Sequence, residues 1–124
     1  MGAVGYTSTP RREQLWSRTG NIIVLSSELR FYNRTGRQRT ISGAWVAAGT
    51  PPTGTDIIAD INKNGTTIFT TQGNRPRVLG GTNGGILTAP DVMSFADGDY
   101  LTVDIDQIGS VTPGADVTVG LLVN

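Results

Sequence analysis

Apolar and polar residues alternate with a period of two along much of the second half of the chain. Between residues 100 and 106 every second position is apolar, beginning at Leu101, and residues 115–123 alternate in the same way through Val117. A strand with one face on a core and one face toward solvent has this period, whereas a helix repeats every 3.6 residues. The pattern therefore predicts two half-buried β-strands.

A hairpin is the clearest local feature of the sequence. Two β-prone runs, residues 56–61 and 66–70, flank the dipeptide Asn64-Gly65. Both turn residues tolerate the positive φ that a two-residue hairpin turn requires. We predict an antiparallel hairpin with its turn at this dipeptide.

Further β-prone runs separated by turn residues complete the pattern. They cover residues 22–25, 29–32, 40–48 and 75–79, and a proline-containing loop at residues 50–54 separates two groups of runs. About eight short strands at this spacing predict an all-β fold, a single antiparallel β-sandwich that is jelly-roll-like. We assign it to residues 21–124, since a chain of 124 residues fits one domain.

The first 20 residues have no sustained period of either kind. They contain Pro10 and several Gly, Ser and Thr residues, with Tyr6 and Trp16 as the only large aromatic side chains. Such a segment has too few apolar positions to form a packed element. We therefore predict an extended N-terminal arm over residues 1–20.

Composition removes most enzyme chemistry. The chain has no Cys and no His, which excludes disulfides, thiolate nucleophiles, His-based triads and the usual zinc ligands. No run approaches the roughly 18 apolar residues of a membrane span, and the N-terminus lacks a secretory pattern. We expect a soluble protein that is not secreted, is not an enzyme and has no cofactor.

The net charge of zero conceals an asymmetry. Residues 1–39 hold seven Arg and two Glu, a net charge of +5, whereas residues 40–124 hold three basic residues and eight Asp, a net charge of −5. The basic part could bind an acidic surface or a neighbouring subunit, pair with the acidic part of its own subunit, or simply be solvated. Nucleic acid is disfavoured, because there is no Lys cluster and no aromatic stacking pattern. The residues that we select for docking on a capsid or a subunit are Arg11, Arg12, Trp16 and Arg18.

Three segments contain parts of a calcium, a phosphate or a carboxylate site, and in each the sequence favours a structural role. Residues 60–65 match the first half of a calcium loop, but Thr71 stands where the bidentate Glu is required. The glycine-rich residues 80–85 lack the following Lys-Ser/Thr of a phosphate loop. A cluster of four aspartates carries generic carboxylate pairs: Asp97, Asp99, Asp104 and Asp106. We predict no catalytic, cofactor or metal site.

Two long segments carry a resemblance to a known family. Residues 51–69, PPTGTDIIADINKNGTTIF, and residues 98–119, GDYLTVDIDQIGSVTPGADVTV, together with Asn74-Arg75-Pro76, resemble a β-sandwich domain of virion proteins from tailed bacteriophages, especially those of actinobacteria. The domain occurs in minor tail proteins and in small stand-alone virion proteins. The resemblance covers roughly residues 50–120.

The resemblance implies a structural protein on the exterior of the virion, made in the host cytoplasm. Because the domain stands alone with an Arg-rich arm, a capsid decoration protein is the expected function. It would bind the major capsid protein or another virion protein as a homotrimer and stabilise the assembled shell. A minor tail or fibre protein, or a module that binds host glycans, remains the alternative.

Overall fold

The structure is a computed structural model that describes residues 12–124. Within this range nine β-strands and one three-residue 3₁₀-helix, Gln72–Asn74, are present, and no helix is long and apolar enough to cross a membrane. The strands are β1 (Arg12–Asn21), β2 (Leu25–Tyr32), β3 (Arg39–Thr50), β4 (Ile57–Lys63), β5 (Thr66–Thr67), β6 (Arg77–Val78), β7 (Ser94–Phe95), β8 (Tyr100–Gln107) and β9 (Ala115–Val123).

The strands form two antiparallel sheets that enclose one core. The first sheet has the order β1-β9-β3-β7, and the second has the order β2-β8-β4-β5 with β6 also paired to β4. Along the chain β1 to β4 alternate between the two sheets, and β7, β8 and β9 alternate again, which is the connectivity of a jelly roll. The predicted jelly-roll-like β-sandwich is confirmed. The strand count exceeds the prediction because β1 and the two-residue strand β7 were not predicted, whereas the predicted run at residues 22–25 is not a strand.

The core consists of the inward rows of the central strands. In β8 the side chains of Leu101, Val103 and Ile105 are completely buried, and the inward row of β9 begins with the equally buried Val117. This is the face assignment that the alternation predicts. Burial of one such side chain contributes about 1.5–3 kcal/mol, so these rows hold the sheets together.

The predicted hairpin is confirmed at β4 and β5. Lys63 pairs with Thr66, and Asn64 and Gly65 form the two-residue turn between them. Their φ values are 52° and 88°, in the left-handed region that a turn of this type requires. Asn and Gly are the residue types that adopt this region at the lowest cost.

Residues 12–20 correct the predicted N-terminal arm, because they belong to β1. This strand pairs with β9 in a regular register that runs from Arg12 opposite Val123 to Arg18 opposite Val117. The pairing joins residues that are about a hundred positions apart, so no local sequence pattern announces it. The remainder of the predicted arm, residues 1–11, lies outside the described residues.

The apolar run at residues 22–25 is a corner and not the strand that we predicted. β1 ends at Asn21 and β2 begins at Leu25, so the run carries the chain from one sheet to the other. Ile22 is buried and its N–H donates to the carbonyl oxygen of Gly114 at 2.9 Å, whereas Ile23 and Val24 are exposed. One apolar anchor thus fixes the corner.

Asn33 joins two loops at the end of the sandwich where β2 finishes. Its side chain is fully buried, and Nδ2 donates to the carbonyl oxygens of Phe95 at 2.7 Å and Arg37 at 2.9 Å. Its Oδ1 accepts from the backbone N–H and the hydroxyl of Thr35. All four hydrogen-bonding positions of this amide are therefore used.

We expect Asn33→Ala to lower the free energy of unfolding by about 2–4 kcal/mol, because it removes all four hydrogen bonds of a buried amide. Urea denaturation measures the change. Asn33→Asp keeps the bonds from Thr35 but replaces the donor, so at neutral pH it should be destabilised as well. Asn83→Ala is the control, since Asn83 also donates to two carbonyl oxygens but lies at the surface. Equal losses in Asn33→Ala and Asn83→Ala would contradict this role of Asn33.

Candidate docking surface

The structure places the predicted docking residues on one face of an edge strand. Arg12, Trp16 and Arg18 lie opposite inward residues of β9 and therefore share the face of β1 that looks toward the second sheet. Trp16 is half-buried and packs against the core, whereas Arg12 and Arg18 are exposed. Trp16 is thus a packing residue at the rim of the core. Arg11 lies outside the described residues.

The backbone of β1 has one unpaired edge within the described chain. β1 is the outer strand of its sheet and pairs only with β9. From Arg12 to Arg18 its register has no bulge and no proline, although such features commonly protect edge strands. This stretch therefore presents free N–H and C=O groups that another chain could pair with.

Arg39, the first residue of β3, lies near Arg12 of β1, and most of its side chain is buried. The residue is 8% exposed, and its guanidinium donates to the main-chain oxygens of Val123 and Asn124. A cavity of about 220 Å³ opens beside it, lined in part by Arg12 and Phe31. Burial lowers the pKa of Arg39, and the positive charges of Arg12 and Arg37 add to this effect.

A second group of arginines lies on the outer face of the other sheet, where β2 pairs with β8. We call Arg30, Tyr32, Arg34 and Tyr100 the tyrosine–arginine cluster. The Cζ atom of Arg30 lies 3.9 Å from the centre of the Tyr100 ring, and its Nε donates to the Tyr32 hydroxyl at 2.8 Å. The Cζ atom of Arg34 lies 4.9 Å from the centre of the Tyr32 ring. These residues form no local sequence pattern, because β8 is distant in sequence from β2.

Ion pairs within residues 12–124 involve only the arginines of the C-terminal part. Arg75 pairs with Asp106 at 2.8 Å and Arg77 with Asp56 at 3.5 Å. The six arginines between residues 12 and 39 form no ion pair with a carboxylate of this range. Residues 1–11 contain no Asp or Glu. Among the arginines that the structure describes, pairing of the basic part with the acidic part of the same subunit is therefore not observed.

The aspartates of the predicted cluster accept hydrogen bonds from backbone and side-chain donors. Asp104 accepts from the N–H of Ser27 and from the amide of Asn62, each at 2.8 Å. Asp99 accepts from Asn64 and from the N–H of Ala96, and these bonds lower the pKa of Asp99. No group of three acidic residues suited to a metal ion exists within residues 12–124.

Asp60, the first residue of the calcium-like segment, lies within β4. It is 6% exposed, and its Oδ1 accepts from the Thr67 hydroxyl and from the N–H of Ile61 at 2.8 Å. Burial raises the pKa of Asp60 above its ordinary value, and these hydrogen bonds oppose the rise. The carboxylate is therefore a structural acceptor of the hairpin.

The glycine-rich segment also has a structural position, against β3. The N–H of Gly85 donates to the carbonyl oxygen of Val46 at 2.7 Å, and Ala48 donates to Asn83 at 2.9 Å. A Cβ on Gly84 would approach the Val46 oxygen to 2.7 Å, and its φ is 76°. Only glycine fits there, because the segment lies directly on the strand.

The aromatic residues of the described body do not form an open stacking platform. Arg30 covers Tyr100, and Arg34 covers Tyr32. Trp45, on the outer face of the first sheet, lies against Gly120 and donates from Nε1 to Glu13 at 2.9 Å. Sugar rings bind on exposed aromatic faces, so this arrangement disfavours a glycan-binding groove.

No protein-family model matches the chain, and neither the curated proteins nor the solved structures contain a match.

We expect Asp60→Asn to change the free energy of unfolding, relative to the unmodified protein, more favourably at pH 7 than at pH 3. The raised pKa means that the folded protein prefers the protonated carboxyl, so this contribution is lost as the pH rises above the ordinary value of 3.8. Asparagine keeps Oδ1 as the acceptor for both donors. Urea unfolding across this pH range measures the trend.

Asp99→Asn is the matched control for this pH dependence. The pKa of Asp99 is lowered, so its ionised form stabilises the fold above the unfolded pKa and this stability is lost as the pH falls. The Asp99 variant should therefore show the opposite trend. The same trend in both variants would contradict the assignment.

Proposed function

We propose that this chain is a structural protein of a bacteriophage virion, and specifically a capsid decoration protein that binds and stabilises the assembled shell as a trimer. The observation that carries the proposal is the basic surface around Arg12 and Arg18 of β1. These arginines have no carboxylate partner in the described chain. Beside it lies the free edge of β1. Both features fit docking on an acidic protein.

Stabilisation of the shell follows from selective binding. A protein that binds the assembled lattice and not its free subunits shifts the equilibrium toward the lattice by mass action. Three linked subunits raise the effective concentration of each further contact, so modest individual contacts suffice. The expected partner is the major capsid protein or another virion protein.

The two alternatives differ in how well the geometry supports them. A minor tail or fibre protein would use the same jelly roll at another position of the virion, and imaging of the particle would distinguish it. A glycan-binding module needs open aromatic faces, whereas the tyrosine rings are covered by arginines. The decoration proposal uses the basic surface directly and is therefore preferred.

A shell-binding experiment tests the proposed function. Purified shells that lack the protein are mixed with the 124-residue chain and with the double variant Arg12→Gln/Arg18→Gln, and co-sedimentation measures occupancy. We expect the chain to bind and the variant to bind about tenfold more weakly, a loss of about 1.4 kcal/mol. Deletion of residues 1–20 is unsuitable, because it removes most of β1.

The control is Lys63→Gln, which removes a positive charge outside the proposed docking and subunit contacts, where the amine donates to the carbonyl oxygen of Ser94 at 2.8 Å. It should bind shells nearly as well as the unmodified protein. Absence of binding by the unmodified protein would overturn the decoration proposal, and a loss in Lys63→Gln as large as that in Arg12→Gln/Arg18→Gln would overturn the role of β1.

A groove on the opposite side of the sandwich from β1 carries exposed apolar side chains and supports the trimer. The groove, of about 320 Å³, lies between residues 73–79 and 86–88, and Ile86 and Leu87 are 66% and 51% exposed. A contact between opposite sides of neighbouring subunits is heterologous and can close into a ring. We therefore propose the groove as one half of the subunit contact.

Light scattering should give the mass of a trimer for the unmodified protein. Ile86→Asp/Leu87→Asp should give a monomer, because two carboxylates cannot be desolvated in an apolar contact without a large cost. Val111→Asp, at another exposed apolar position, is the control and should remain trimeric. A monomeric unmodified protein at high concentration would contradict the trimer.

A further inference from the structure

The tyrosine–arginine cluster combines two cations and two aromatic rings on one exposed sheet face. Tyr32 and Tyr100 are paired across β2 and β8, with ring centres 5.5 Å apart. Arg30 and Arg34 lie over these rings and are exposed. The sheet thus fixes the rings, and the rings fix the guanidinium groups.

The guanidinium of Arg30 is oriented by two separate contacts. Its Nε donates to the Tyr32 hydroxyl, and its Cζ atom lies over the Tyr100 ring. An unrestrained arginine side chain loses about 2 kcal/mol of rotamer entropy when it is fixed, and here part of that loss has already occurred. The remaining N–H groups are held ready to donate to a planar anion.

The charge of the cluster is not neutralised within the described chain. No carboxylate of residues 12–124 forms an ion pair with Arg30 or Arg34, and residues 1–11 contain none. Asp97, which contacts the loop after β2, accepts from the N–H of Gly36 at 2.7 Å.

We propose that the tyrosine–arginine cluster is a preformed binding site for the carboxylate groups of an acidic protein segment. Arg30 donates to one carboxylate and Arg34 to a second, while Tyr32 acts as a positioning residue for Arg30. Within the proposed function this segment belongs to the shell, and that assignment rests on the proposed function. The site itself rests only on the geometry of the cluster.

The cluster favours a protein over a nucleic acid as its partner. Single-stranded nucleic acid gains much of its affinity from bases that stack on open aromatic rings. Here guanidinium groups occupy the faces of both tyrosines. An acidic peptide needs no stacking, because paired N–H groups of arginine match the two oxygens of a carboxylate.

Calorimetry with a hexaglutamate peptide at low salt tests the site in the 124-residue protein. We expect binding by the unmodified protein and a loss of at least about tenfold in affinity for Arg30→Gln/Arg34→Gln. The Arg30 Nε–H resonance should shift on peptide addition. Thermal melting confirms that each variant is folded.

Two variants separate a preformed site from general charge attraction. Tyr32→Phe keeps the net charge and the ring but removes the hydroxyl that accepts from Arg30; we expect a loss of about threefold in affinity. Arg75→Gln/Arg77→Gln removes two charges elsewhere and should change affinity little. Unchanged affinity for Tyr32→Phe, or equal losses for the two double arginine variants, would overturn the proposal.

A dT20 oligonucleotide is the competing ligand. Tighter binding of the oligonucleotide than of the peptide would overturn the preference for an acidic protein. Shell binding distinguishes this proposal from the proposed function. If Arg30→Gln/Arg34→Gln loses the peptide but keeps its shell occupancy, the carboxylate site stands and its assignment to the shell is wrong. If it loses both, the cluster is part of the shell contact.

Discussion

The pairing of β9 between β1 and β3 is the constraint on which the arrangement of the surface depends. Its register sets Val123 opposite Arg12 on one side and opposite Ile41 on the other. Because the inward row of β9 is buried, a shift of one residue would turn that row toward solvent. This register brings Arg12 to the same end of the sandwich as Arg39 and assembles a basic surface from segments distant in sequence.

Local patterns predicted the strands whose two faces have different surroundings. β8 and β9 alternate because one face lies on the core, and the β4–β5 turn is specified by Asn64 and Gly65. β1 escaped prediction because Arg12 and Arg18 occupy its inward row, which the second sheet covers only partly at this edge. The apolar run at residues 22–25 was wrongly predicted as a strand for the opposite reason, since its apolar residues form the corner at Ile22 between the two sheets.

The candidate site was less predictable than the fold, because its geometry depends on pairing across the sheet. Sequence analysis identified an excess of arginine in the first 39 residues and selected those nearest the N-terminus. It could not show that Arg30 reaches Tyr100, which joins it only when β2 pairs with β8. The two bulges in β2, with φ of 57° at Ser27 and 51° at Leu29, shape the strand that carries Arg30.

The separation of charge along the chain has a consequence for assembly. Aspartates of the second part accept from backbone and amide donors or pair with Arg75 and Arg77, and within residues 12–124 none forms an ion pair with an arginine of the first part. Like charges at one end of the sandwich repel, and salt only screens that repulsion. An acidic partner would remove the repulsion and add charge-assisted hydrogen bonds. The same surface that lowers the stability of the isolated subunit is therefore the one best suited to bind outside it.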